Sequence, residues 1–473
     1  MAAGLSQVAN RPSAGTIAAL TGVGAAIVLG AAAGGVHQPL LVAGALGGAA
    51  FLLLAITAPL PAVVLFFLLT FVSQLNVVGP GVSVAKGAGG ALVLGWIFRE
   101  ISGRGDRSAF TTSRTFVLAG AAFLVWCVGS ALWASDATSA ISSTARIAQG
   151  PLLVMALVGL VRDERSIHVL CATFVAGATL SAVVGLSGVT HADTSAVGAD
   201  SRLTGGIGDP NYLAAVLVPA ITLSLFMSIG ARRSPLRIPL LLGGMLCLVA
   251  LFLTQSRGGI VALALTIVCA IALAGRARRN VVLVTSMVLA AASVYLVLVA
   301  PPHALSRLTQ FTSGGGTGRT DLWKVAAKAF EAHPLAGIGL GNFTVVEPQF
   351  AVTFSTDLPR ADLVVTQQQP VHNTYLHIAA ELGVVGIALF LALLGSVLAA
   401  ARRGIAAVTA AGRERLELEG RGLLVGTIGM LSAFAFLTAQ YEKQLWLTLG
   451  LVLAFARVAS RPAPEGGPAG AGR

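Results

Sequence analysis

The sequence predicts an all-α, polytopic transmembrane bundle of about 12–14 spans with a long extracytoplasmic loop containing a short amphipathic helix. Three observations predict it. Only 11% of the 473 residues are charged and 56% are hydrophobic, with a mean hydropathy of +0.85, against about a quarter charged in a soluble protein. Apolar stretches of about 17–25 residues recur from end to end, each long enough to cross a hydrocarbon core as a helix whose backbone groups satisfy one another. The 31 Lys and Arg concentrate in alternate loops, as they do in the cytoplasmic loops of membrane proteins.

Taken in order, a polar leader with Arg11 precedes an apolar stretch at 16–33. It reads as a retained signal anchor, because the next span follows within a few residues. Further spans fall at 38–56, 59–77, 84–98, 115–133, 145–161 and 167–187. After a polar loop from Gly188 to Asp209 come 210–229, 236–254, 258–275 and 280–300. A long hydrophilic loop then runs to Val371, and spans at 373–400, 422–439 and 443–457 close the bundle. Pro59 and Pro61 crowd the start of the third span and Lys86 sits in the Gly-rich start of the fourth, so a re-entrant pair there gives the lower count. The chain thus divides into N-terminal transmembrane helices (1–187), central helices with Arg-bearing outward loops (188–300), a large extracytoplasmic loop (301–371), C-terminal helices (372–459) and a Pro/Gly tail (460–473). The tail cannot bury a core and is expected to be disordered on the cytoplasmic side.

With the N-terminus inside, the clusters around Arg99–Arg114, Arg162, Arg232, Arg276, Arg402–Arg421 and Arg457 share the cytoplasmic side of an inner membrane, which fixes the orientation and makes membrane lipids a partner. That placement, rather than the net charge of +12, argues against nucleic acid. Cys127, Cys171, Cys247 and Cys269 each lie in an apolar stretch without paired spacing, so they read as small core hydrophobes, outside any disulfide or zinc framework.

Charges kept on the outward side are then the candidates for chemistry, because a charge held near a bilayer is costly and usually faces a cavity. In SRLTGGIGDPNYLA, Arg202 precedes Asp209 and Pro210, which read as an N-cap and first helical residue, with Asn211 following. In LTQSRGGIVAL, Arg257 lies at a tight turn with Gly258 and Gly259. Two readings fit it: a phosphate ligand approached by glycine backbone, or an Arg snorkelling to headgroups. In GRTDLWKVAAKAFEAHP, Leu322, Val325, Ala326, Ala329 and Phe330 mark an amphipathic helix from a cap at Thr320 to Pro334. Its Lys324 and Lys328 suit either lipid phosphates or a solvated face. The glycines before it lack the Lys-Ser/Thr of a nucleotide loop. In QPVHNTYLHIAAELGVVGIALF, His372 and Asn373 sit at the mouth of a span, and His377 and Glu381 lie one turn apart and can pair. The spacing alone suits a structural His as well as a base, and it is not that of a zinc site.

Together and in this order, GDPNYLA, TQSRGG, GRTDLW with PLAGIGLGNF, and HNTYLHIAAELGVVGIALF resemble the O-antigen ligase and polymerase family of membrane glycosyltransferases, over roughly Arg202 to Phe390. The resemblance implies transfer of a glycan from an undecaprenyl-diphosphate-linked donor to a glycan or lipid-linked acceptor at the outer face of the cytoplasmic membrane. It implies inversion at the anomeric carbon without metal or other cofactor. By the same resemblance Arg257 and Arg319 would clamp the diphosphate, with Arg202 as a third candidate. His372 would be the general base, and Asn373 would orient substrate or His372. Asn211, Glu381, Lys324 and Lys328 would support the site. A secondary transporter or lipid-linked oligosaccharide flippase is the rival from another class; it would place functional charge near the midplane rather than at one face. A structural assembly subunit would leave the outward Arg and His set unexplained.

Overall fold

A computed structural model describes residues 39–79, 82–106, 108–188, 202–232, 234–286, 290, 319–353 and 369–461. The anchor expected at 16–33, most of the span expected at 280–300 and the tail beyond Arg461 lie outside them. In chain order the helices are α1 (Pro39–Thr57), α2 (Pro59–Phe71), α3 (Val84–Ile101), α4 (Ser108–Thr112), α5 (Arg114–Gly129), α6 (Ala137–Leu160), α7 (Glu164–Leu186) and α8 (Pro210–Gly230). They continue with α9 (Arg237–Leu253), α10 (Arg257–Leu273), α11 (Arg319–Ala332), α12 (Phe343–Thr353), α13 (Thr374–Ala410), α14 (Glu414–Ala433) and α15 (Lys443–Ala459).

Among the described residues, α5 with its extension to Leu132, α6, α7, α8 and α13 are long and apolar enough to cross a membrane. α10 with a continuation at Gly275–Ser286, bent by 108°, would make a sixth span. The remaining apolar helices are shorter, and α2 shows why. The apolar run predicted over 59–77 stops at Phe71, because Ser73–Asn76 is a 3-10 turn carrying Gln74 and Asn76. Two very short strands follow, β1 (Val77–Gly79) and β2 (Val82–Ser83), paired antiparallel with Val77 opposite Ser83.

The buried core runs through the middle of the bundle on Phe66, Phe123, Leu157, Phe174, Val218 and Phe390. Outside it Leu118, Val125, Val128, Ile238 and Leu242 are exposed, as the outer face of a helix in hydrocarbon requires. All four cysteines are free, and Cys127, Cys171 and Cys247 are buried.

One end of the bundle is closed by ion pairs. Asp106, between α3 and α4, pairs with Arg457 at the end of α15 and, at 2.5 Å, with Arg461. Burial acts to raise the Asp106 carboxyl, but hydrogen bonds from Ser108 and the two arginines outweigh it and hold the group at about 2. Around this hub Glu164 pairs with Arg413 at 2.5 Å, Glu417 with Arg421 at 2.8 Å, and Glu419 with His168.

The other end depends on a break in α13. Gly383 departs from helical geometry with φ 68° and ψ −168°, leaving the carbonyls before it without helical partners. A glycine-rich turn from the 334–341 segment supplies them: Ile338 N donates to Ala380 O at 3.1 Å and Gly339 N to Glu381 O at 2.9 Å. Trp126 Nε1 of α5 donates to Leu382 O at 2.9 Å. The turn lies so close that a Cβ on Gly337, whose φ is +70°, would stand 2.3 Å from the Glu381 backbone. An alanine there meets both a left-handed backbone and a wall that cannot yield, a cost of about 2–3 kcal/mol. Gly337→Ala is therefore expected to lower the thermal unfolding midpoint in detergent by several degrees. Gly395→Ala, with open space at its Cβ, should leave it unchanged or slightly raised; equal melting of the two variants would contradict this account.

Candidate functional site

Several helices begin at the end opposite Asp106, and local sequence sets where. α8 starts at Pro210 because Asp209 Oδ1 accepts from the backbone N–H of Asn211 at 2.7 Å and of Tyr212 at 2.9 Å, with proline in the first position where no N–H is needed. α10 starts at Arg257, where Ser256 Oγ accepts from Gly259 N at 3.2 Å. Gln255 before it turns the chain with φ +50°. α11 is described from Arg319 onward, and the Thr320 cap that the pattern suggested falls at the edge of the described residues. α13 starts after His372, itself at φ +54°, and Asn373, whose Oδ1 accepts from Tyr375 N and Leu376 N at 3.0 Å each.

These starts are tied together by side chains. Asn211 Oδ1 accepts from Arg202 Nη2 at 3.2 Å and from Ser256 Oγ at 2.9 Å, while Arg202 Nε donates to Thr254 O at 2.9 Å. Trp323 Nε1 of α11 donates to Val371 O at 3.0 Å. His372 N donates to Thr438 Oγ1 at 2.9 Å, and Tyr212 Oη donates to the Thr438 carbonyl. The result brings together the N-termini of α8, α10 and α13, each contributing partial positive charge.

The charges feel one another. Burial lowers the Arg319 pKa, and the nearby Arg202 and Arg257 lower it further, with Asp209 opposing. Burial also pushes the His372 imidazole down to about 4, helped by Arg319 and His377 and opposed by Asp209. His372 is thus neutral at ordinary pH and able to accept a proton.

Beside this cluster lies a cavity of about 280 Å³, lined by residues that include Arg146, Tyr212, His377, Glu381, Tyr441 and Glu442. The Arg146 guanidinium carbon sits 4.1 Å from the centre of the Tyr441 ring, a cation–π contact. Glu381 Oε1 lies 3.1 Å from His377 Nε2 and accepts from Phe343 N at 3.1 Å. His377 Nδ1 and Glu381 Oε2 are buried without hydrogen-bond partners among the described residues. Each such group costs about 1–3 kcal/mol if left unsatisfied. Burial raises the Glu442 carboxyl above its ordinary value, with Lys443 and Arg146 opposing and Asp209 reinforcing.

The structure therefore gathers Arg202, Arg257, Arg319 and His372 from four separate segments. Asn211 holds Arg202 in place. Asn373 spends its Oδ1 on capping α13 rather than on His372. Glu381 pairs with His377 in the wall of the cavity. Lys324 is exposed and Lys328 pairs with Glu331 at 2.8 Å, so both stand on the outer side of α11. The apolar stripe of α11 is buried against protein, with Leu322, Val325, Ala326 and Ala329 packing on Ile338, Phe343, Val346, Val371 and Ala380. Arg146, Tyr441 and Glu442 were missed by sequence reasoning as site residues. Their one signal was Arg146 as an outward charge. Among the described residues no group of His, Cys, Asp and Glu is arranged to hold a metal.

A multi-pass helical membrane protein with basic side chains gathered at helix N-termini is the class that the fold and site define. Residues 242–391 match the family model described as O-Antigen ligase. The match spans under half of the chain; it includes Arg257, Arg319, His372, Asn373 and Glu381 and leaves out Arg146, Arg202, Asn211 and Glu442. No curated protein matches the chain.

Below the site, Glu347 of α12 is fully buried; its Oε2 accepts from Gln369 N at 3.2 Å and its Oε1 has no hydrogen-bond partner among the described residues. Burial pushes its carboxyl up to about 7, with the Gln369 N–H opposing. A raised carboxyl stabilises the fold fully below its unfolded value near 4.5, and that contribution is lost as pH rises through about 7. Glu347→Gln should melt like the wild type at pH 4.5 and above it at pH 8, measured by thermal unfolding in one detergent. A constant difference across that range would show that Glu347 does not titrate there.

Proposed function

We propose that the chain is an inverting membrane glycosyltransferase that moves a glycan from an undecaprenyl-diphosphate carrier to an acceptor hydroxyl, as a ligase or polymerase of surface polysaccharide. The observation that supports this reading is the meeting of Arg202, Arg257 and Arg319 beside a neutral His372, next to the starts of α8, α10 and α13. A lipid diphosphate is already a good leaving group, so catalysis needs opposition to the negative charge growing on it and removal of a proton from the acceptor. Planar guanidiniums and helix N-termini supply the first. His372 supplies the second: the acceptor oxygen bonds to the anomeric carbon, the bond from that carbon to the diphosphate breaks, and the acceptor proton passes to the imidazole.

The low pKa of His372 gives this scheme an order. Alone among guanidiniums the imidazole is a weak base, but a bound diphosphate brings negative charge that favours the imidazolium and so strengthens it. The base is thus switched on by the donor. The ion-paired end around Asp106 carries the excess of arginines and faces the cytoplasm in this reading, placing transfer at the outer face. The exposed side of α11, with Lys324 and Lys328, then lies near lipid headgroups.

The test is to incubate the purified protein with a defined undecaprenyl-diphosphate glycan, with and without acceptor, and to identify products by mass. Transfer is expected with wild type and should fall at least 100-fold in His372→Ala. Arg257→Lys should lose most activity despite its retained charge, because an ammonium cannot make the bidentate contact. In the free enzyme the neutral imidazole persists down to about pH 4, so kcat/KM should be insensitive to His372 between pH 6 and 8 and fall as pH approaches 4. Wild-type transfer by His372→Ala would sink the assignment.

A further inference from the structure

The cavity beside the arginine cluster is not used by the transfer scheme, and its lining differs in kind from the cluster. Arg146 brings one positive charge, while Glu381 and Glu442 bring carboxyl groups, so the lining offers a diphosphate far less than the arginine cluster does. It is also too polar for a lipid tail. Two of its walls hold buried, unpartnered polar atoms, His377 Nδ1 and Glu381 Oε2, and neither residue is more than 7% exposed. Buried groups of this kind normally meet a ligand or ordered water. A carboxylate with a free oxygen, a ring nitrogen and a guanidinium form a mixed set of acceptors and donors, which matches the alternating donors and acceptors of adjacent hydroxyl groups.

The size agrees. At about 280 Å³ the cavity falls just below the usual ligand-pocket range of about 300–1,000 Å³, which suits one sugar ring and not a whole oligosaccharide. Its position agrees as well. Thr438 in its wall accepts the backbone N–H of His372, and Tyr212 in its wall follows Asn211, which holds Arg202. A ring seated there stands next to the group that would receive the acceptor proton.

We infer that this cavity is a subsite for a single neutral pyranose ring, gripped through its hydroxyls by Glu381, His377, Arg146 and Glu442. The choice of a sugar as occupant rests on the transferase reading. The ring is either the reacting unit of the donor or the terminal unit of the acceptor; both present the same hydroxyl chemistry. Glu381 and Arg146 here act in binding and specificity, not as acid or base.

Saturation-transfer NMR on the full-length protein in detergent, with a panel of methyl glycosides of common neutral hexoses, tests the subsite without requiring turnover. At least one glycoside should bind the wild type. Binding should be lost in Thr344→Trp, which fills the cavity from its wall, and weakened at least 10-fold in Glu381→Gln. Gly395→Ala, outside the cavity lining, should bind glycoside as the wild type does. In the transfer assay, Thr344→Trp should raise KM for one substrate at least 10-fold with little change in kcat; a rise for the donor assigns the ring to the donor, a rise for the acceptor to the acceptor. No glycoside binding by wild type, or binding undiminished in both Thr344→Trp and Glu381→Gln, overturns the subsite. Glycoside binding that depends on Thr344 and Glu381 in a protein that transfers nothing upholds the subsite and overturns the transferase reading instead. Transfer by wild type with KM unchanged in Thr344→Trp does the reverse.

Discussion

A helix that breaks inside a membrane protein must find partners for the carbonyls it releases, and the rest of the site depends on how α13 meets that demand at Gly383. Three donors from two other parts of the chain, Ile338 N, Gly339 N and Trp126 Nε1, take up Ala380 O, Glu381 O and Leu382 O. Non-helical backbone at such depth is stable only where protein surrounds it, so the glycine turn, α5 and α13 are held as one unit. The same turn carries Leu340, whose N–H is received by Ser130 Oγ at 3.1 Å, and Asn342, which exchanges hydrogen bonds with the Asp136 backbone at 2.7 and 3.1 Å. Through these contacts the start of α6, and with it Arg146, is set in register with Glu381.

The constraint also explains why the charges of the site can be kept close together. Like charges brought to one place repel, and burial adds a desolvation cost to each. A rigid frame can impose that arrangement because its own stability comes from elsewhere: the apolar core around Phe123, Phe390 and Leu157, and the capped helix starts. Asp209 tempers the repulsion, lying near enough to oppose the shifts of both Arg319 and His372, while its Oδ1 is committed to capping α8. Under the proposed function the site is thus pre-organised for the diphosphate, with the reorganisation cost met in folding rather than at the moment of binding.

How far this was legible in the sequence follows from the range over which each signal acts. Helix positions were legible where apolar runs and caps are local: Asp209-Pro210 marks the start of α8 where the structure has it. Outward arginines were conspicuous against apolar surroundings, but Arg257, Arg319 and His372 were singled out as a set only through the ordered family motifs, since no local pattern joins segments so far apart in the chain. The break at Gly383 was not legible. ELGVVGIALF is apolar throughout, and nothing local says that one of its glycines adopts φ 68°; the cause lies in a turn some forty residues earlier. Nor was the cavity, whose walls come from α6, α8, α13, the 341–344 stretch and the 438–442 stretch. Asn373 illustrates the converse, since a residue next to a candidate base invites a catalytic role while its pattern before a helix is that of an ordinary cap.

The two ends of the bundle divide the work of its charges. At one end carboxylates meet arginines directly, and Asp106 alone holds both Arg457 and Arg461, which closes the helices together. At the other end the helix starts and arginines surround a neutral histidine and border an open cavity. Between them stand buried Phe66, Phe174, Leu157 and Val218. A transporter would have to open this apolar layer and break the Asp106 pairs in each cycle, exposing a buried guanidinium as it did so. The proposed transfer, with both substrates arriving at the cavity end, requires neither and would leave the bundle closed.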